Sequence, residues 1–152
     1  TGRGLMYGNF DGNLNIKRGK DHTILQTSTA DNMASVVSCP AAQTDFGKAA
    51  ANRLLFPLAS FTDTPATAAG QAAILQNVRH LHKWLLKEDL PANDPEIVRT
   101  YQLFVSVWND RASAPPKSLT CAYTNTSDPN YTGRAWAAVI AYLVGDPKFL
   151  FE

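Results

Sequence analysis

From Thr44 onward the apolar residues recur at intervals of three and four, a spacing that predicts helices rather than strands. In TDFGKAAANRLLFPLASF, Thr44 is placed to cap a first turn, Phe46, Ala50 and Leu54 fall on one face, and Pro57 ends or kinks the helix. A second helix is expected to follow Thr64 as its cap and Pro65 in its first position. Ile74, Val78, Leu81 and Leu85 form its stripe, and it ends near KEDLPAND. The third is the most clearly marked: Asp94 caps, Pro95 starts, Glu96 suits the positive end of the dipole, and Ile97, Val98, Tyr101, Phe104, Val105 and Trp108 give a wide apolar face. Asp128 and Pro129 repeat that start signal before a fourth stripe of Trp136, Val139, Ile140 and Leu143, which Gly145 is expected to close as a left-handed residue. A short additional helix is expected within residues 28–37, and ASAPPKS reads as an extended connection. No alternating run is long enough to argue a sheet, so the expected fold is all-α, a small bundle of four to five helices.

Residues 1–27 do not share this periodicity. Five of the nine glycines fall in residues 1–22, together with Arg3, Lys17, Arg18 and Lys20 against Asp11 and Asp21. That density of glycine lowers helix propensity, and the segment is read as an irregular basic arm attached to a helical domain over residues 28–152. The chain of 152 residues, 45% hydrophobic, suits one domain. A net charge of +1 supplies no global field to draw the molecule onto nucleic acid or an anionic membrane, so any anion site must be local. Apolar runs such as RLLFPLASF fall far short of the ~20 residues a membrane-spanning helix needs. The chain opens at Thr1 without methionine, from which removal of a leader or upstream region is expected.

Two cysteines, Cys39 and Cys121, stand 82 positions apart outside any metal or haem-attachment spacing. They are read either as buried thiols or as one disulfide. Their polar, turn-like surroundings favour the bridge, and a bridge implies an oxidising compartment, periplasmic or extracellular. His80 and His82 in RHLHK diverge by about 200° on a helix and cannot readily share a metal. Arg79, Lys83 and Lys87 share a face as a basic stripe. Asp11, Asn13 and Asn15 place oxygen ligands at alternate positions, as a calcium loop begins, but Ile16 and His22 stand where such a loop needs glycine and glutamate. The ordinary reading is a turn. Asn125 and Asn130 head two glycosylation sequons, which suggest an exposed loop. No nucleophile elbow, Gly-rich phosphate loop or apolar carboxylate pair is present, and no catalytic residue is assigned.

Two resemblances add to this reading. LNIKRGKDH, through Leu14, Asn15, Ile16, Arg18, Gly19, Asp21 and His22, resembles a signature segment of the animal-type haem peroxidases. The resemblance implies haem, with Asn15 orienting a proximal histidine and His22 beside it. The similarity covers nine residues, and no histidine precedes His22 to serve as the proximal ligand. TGRAWAAVIAYLVGDPKFLFE is similar to the ends of helical modules in exported bacterial proteins of the planctomycete and myxobacterial kind, which often accompany cytochrome c domains. It implies packing and export, through Asp146, Pro147, Phe149, Leu150 and Phe151. The function expected from these observations is an exported interaction module or subunit of a larger assembly, its partners other protein subunits or copies of itself, with no cofactor. Arg18, Lys20, Arg79, Lys83, Lys87, Phe149, Leu150 and Phe151 are its expected contact residues. The alternatives are a haem-associated redox protein and a binder of an anionic polymer.

Overall fold

The computed structural model describes residues 37–110, 118–121 and 124–151. Within them the apolar stripes close on one another, and the chain is mostly helical. Helix α1 covers 37–46 and is followed by a 3-10 turn, Ala50–Asn52. Helices α2 (Ala68–Leu86), α3 (Pro95–Asn109), α4 (Thr132–Val144) and α5 (Pro147–Phe151) complete the bundle. The pair α3 and α4 packs most extensively, with α2 against both. Strands β1 (Ser118–Cys121) and β2 (Thr124–Ser127) add one antiparallel ladder, in which Ser118 pairs with Ser127 and Cys121 with Thr124.

Helices α2, α3 and α4 begin where a side-chain oxygen accepts from backbone N–H groups of the first turn. Asp94 Oδ1 accepts from the Glu96 N–H at 2.9 Å, and Pro95 starts α3 as expected. Helix α2 starts later than Thr64: Thr67 is the cap, its Oγ1 accepting from Gly70 N at 3.0 Å, and Pro65 lies in the preceding turn. Asp128 reaches forward past Tyr131, whose φ is 60°, so that its two oxygens accept from Gly133 N and Arg134 N at 3.0 and 3.3 Å. Helix α2 ends at Lys87, also at φ 60°, with Glu88 N donating back to His82 O.

Four other expectations are corrected. The helix around Thr44 ends at Phe46 instead of beginning there, because the Asp45 carboxylate turns away to bind the backbone of residues 54–56. Val98 lies on the outer side of α3 with 43% of its surface exposed, since the buried face runs through Ile97, Thr100 and Phe104. Gly145 is right-handed, at φ −74°, because its N–H continues the helical bonding to Ala141 O. The β1–β2 ladder, four residues a side, is too short to register as an alternating pattern.

The core forms around Trp136, fully buried between Phe56 at 5.1 Å and Phe104 at 4.7 Å, the latter edge-on. Phe46 stacks on Phe56 and on Phe61, each with centroids 4.1 Å apart. Full burial of such rings contributes about 2–3 kcal/mol apiece, and oriented pairs somewhat more. Ile74, Val78 and Leu81 of α2 and Val139, Ile140 and Leu143 of α4 complete it, with Leu85 packed at the margin. A Cys39–Cys121 disulfide, Cα atoms 5.6 Å apart, joins α1 to the end of β1 and resolves the open cysteine reading in favour of the bridge.

Candidate functional site

Two constellations could carry chemistry or recognition. The first centres on His82, whose side chain is buried between α2 and α3. Its Nε2 lies 2.8 Å from Thr100 Oγ1 and its Nδ1 3.3 Å from Glu88 Oε2, while Glu88 Oε1 accepts from Lys148 Nζ on α5. Hydroxyl, imidazole and carboxylate in series are the groups of nucleophilic catalysis. Here Thr100 is 0% and His82 1% exposed, and the Thr100 hydroxyl also lies 2.9 Å from Glu96 O, the carbonyl it would bond as an ordinary helical threonine. The hydroxyl is sealed inside the helix contact. The series instead ties four pieces together: α2 through His82, α3 through Thr100, the α2–α3 connection through Glu88, and α5 through Lys148. Burial pushes the Glu88 carboxyl upward, but hydrogen bonds and charge from Lys148 and His82 outweigh it and leave the group below its ordinary range.

The second constellation lies on the surface. Helix α1 contributes Pro40, Ala41 and Thr44, the 53–67 segment contributes Leu54 and Leu55, and α2 contributes Trp84 to an open groove of about 360 Å³, with Asp45 and Lys48 also lining it. Buried polar residues hold this wall in shape. The Asp45 oxygens accept from the N–H groups of Leu54, Leu55 and Phe56 at 2.9, 3.0 and 2.8 Å. Asn77, fully buried on α2, accepts from Leu58 N and donates to Leu55 O. Because the backbone is fixed at these points, Phe56 enters the core while Leu54 stays outside, 56% exposed, close to Trp84 at 47%. His80 lies parallel to the Trp84 ring and reaches Leu54 O at 2.7 Å, so α2 is joined to the backbone of Leu54. Val37, one turn before Pro40 on α1, is also exposed.

No family model, curated protein or solved structure matches the chain.

Of the residues singled out in the sequence, Arg18, Lys20, Asp11, Asn13, Asn15 and His22 lie outside the described residues, as does the boundary between arm and domain at residues 27–28. The stripe of Arg79, Lys83 and Lys87 is on α2 and its cap, each member engaged locally: Arg79 Nε donates to Leu90 O, Lys83 pairs with Asp89 at 3.4 Å, and Lys87 Nζ donates to Trp84 O. Phe149 on α5 is 39% exposed, while the side chains of Leu150 and Phe151 are outside the described residues. Asn130 donates to Phe61 O at 3.2 Å and is half-buried, so this sequon's amide is committed inside the fold. Among the described residues no cluster of metal-ligating side chains forms, and no helix is long and apolar enough to cross a membrane.

Sequence reasoning missed Asp45, Asn77 and Thr100. Asp45 and Asn77 bind backbone at separations of 9 to 22 residues, and Thr100 meets a histidine 18 residues away, distances over which no local pattern extends. Trp84 stood beside the stripe rather than in it. Its position off the Ile74–Val78–Leu81 face is the one signal that marks it as outward-facing.

Proposed function

We propose that this protein is an interaction module of the exported space, a disulfide-tied helical domain that joins a larger assembly through the groove between α1 and α2. The observation that carries the reading is the exposed Trp84–Leu54 pair held open by buried polar residues. Large apolar side chains lining one rigid concave surface gain most of their favourable energy when a partner excludes water from them, and tryptophan is enriched among residues that dominate binding. The wall is held by bonds that need no ligand, so little conformational freedom is lost on docking. The Cys39–Cys121 bridge supports the assignment to an oxidising compartment, where such a bond persists.

The test is site-specific photo-cross-linking in the producing cell, with the reactive group placed at Leu54 and, in a parallel protein, at Val98 on the exposed side of α3. Discrete adducts formed from position 54 and absent from position 98 are expected. Equal labelling from both positions, or none from either, would overturn the reading.

A further inference from the structure

We infer that His82 is a proton switch for helix α5: a proton added to its ring draws Glu88 away from Lys148 and loosens the helix. The switch shares no residue with the α1–α2 groove. The ring is 1% exposed, and its partners allow it two states. Glu88 Oε2 and Glu96 O can only accept hydrogen bonds, whereas the Thr100 hydroxyl both donates and accepts. With the ring neutral, Nδ1–H donates to Glu88, and Nε2 accepts from Thr100 Oγ1 at 2.8 Å. A proton added at Nε2 reverses that second bond, and the Thr100 hydroxyl turns to Glu96 O, already 2.9 Å away. Both forms leave each ring nitrogen paired with no heavy atom moved, so burial does not bar the ring from the proton.

Glu88 is the carboxylate that two cations would then share. The Lys148 bond to Oε1 is the shorter of its two, while Oε2 stands 3.3 Å from Nδ1, longer than the about 2.7–2.9 Å of a charge-assisted bond. Protonation of the ring shifts that balance. The His82 side chain is 2% exposed and Lys148 51%, so a charge on the ring attracts the carboxylate with less screening than Lys148 does. The other charges around the node do not take the place of Glu88. Asp146 directly precedes α5, and Glu96 on α3 is paired with Arg99 at 2.7 Å. Lys83, next to His82 on α2, is balanced by Asp89 at 3.4 Å. Glu88 holds α5 from the α2–α3 connection, and the cation that takes it decides how firmly the helix is docked.

The experiment follows the ring nitrogens of His82 and the amides of α5 together, by NMR on the purified full chain from about pH 8 to about pH 5. Corrected for intrinsic exchange, opening of α5 is expected to rise about threefold over the interval in which Nε2 takes up its proton, above the ordinary glutamate range. Lys148→Gln removes the competing cation and is expected to raise the midpoint of the ring titration by about half a pH unit. That shift and the threefold opening are one coupling read from its two ends. His82→Gln keeps a neutral hydrogen-bonding group at the node and is expected to leave α5 responding only in the glutamate range.

A ring midpoint unmoved in Lys148→Gln overturns the switch. So does opening of the unmodified chain's α5 that begins only in the glutamate range, or that keeps its upper step in His82→Gln. Should His82→Gln fail to fold by far-ultraviolet circular dichroism, Lys148→Gln, at an exposed position, decides alone.

Discussion

Three backbone N–H groups, those of Leu54, Leu55 and Phe56, end on the two oxygens of Asp45, and the Phe56 amide is buried. Asp45→Ala strands all three donors and is expected to lower unfolding free energy by about 3 kcal/mol, since each buried group left unpaired costs ~1–3 kcal/mol. Urea denaturation measures it, and an unchanged midpoint would show that water replaces the carboxylate without loss. Gly70 is constrained in a different way. A Cβ there would collide with the backbone O and N of Thr64, so the Thr64–Thr67 turn can lie across the first turn of α2 only while residue 70 has no side chain. Both residues act on backbone rather than on side chains, which is why their importance does not follow from hydrophobicity.

At the scale of elements, the short helix α5 is joined to the bundle through Lys148 and Glu88. A five-residue helix has little stability of its own, so its position depends on such contacts. The Glu88 carboxyl is held below its ordinary range in the folded protein, hence the unfolded chain binds the proton more readily. The contribution is therefore complete above the ordinary glutamate range and is lost as pH falls through the lower, folded value. Lys148, raised chiefly by its hydrogen bond to Glu88, behaves oppositely: its part is complete below the ordinary lysine range and lost only as pH rises through a value above it. Amide hydrogen exchange should show α5 opening on acidification before the α3–α4 pair does. In Glu88→Gln, α5 should be loose already at neutral pH and nearly insensitive to acid. Equal acid sensitivity in the variant would dissociate α5 from this ion pair.

For the molecule as a whole, the disulfide joins elements 82 residues apart and constrains the unfolded chain most. Reduction, or the paired replacement Cys39→Ser and Cys121→Ser, is expected to remove about 2–4 kcal/mol of stability, within what loop closure of this length allows. Thermal unfolding with and without reductant checks it. The groove lies on α1, the element that carries Cys39, so the paired serine replacement should also weaken adduct formation from position 54. Preserved cross-linking in that variant would show that Asp45 and Asn77 alone keep the wall in place.

The sequence by itself determined the helical class, the stripes of α2, α3 and α4 and the cap of α3, because helix periodicity and capping are decided within a few residues. It also singled out Asp128, though not how far that carboxylate reaches. Only the tertiary structure decided where α1 stops, since Asp45 there exchanges a helical role for three distant N–H groups. The same holds for the partners of His82 and for the outward turn of Trp84 and Leu54 into one groove. Those arrangements bring together residues 6 to 30 positions apart, and the free energy that selects them comes from burial and from satisfying polar groups in three dimensions, terms that no window along the chain contains.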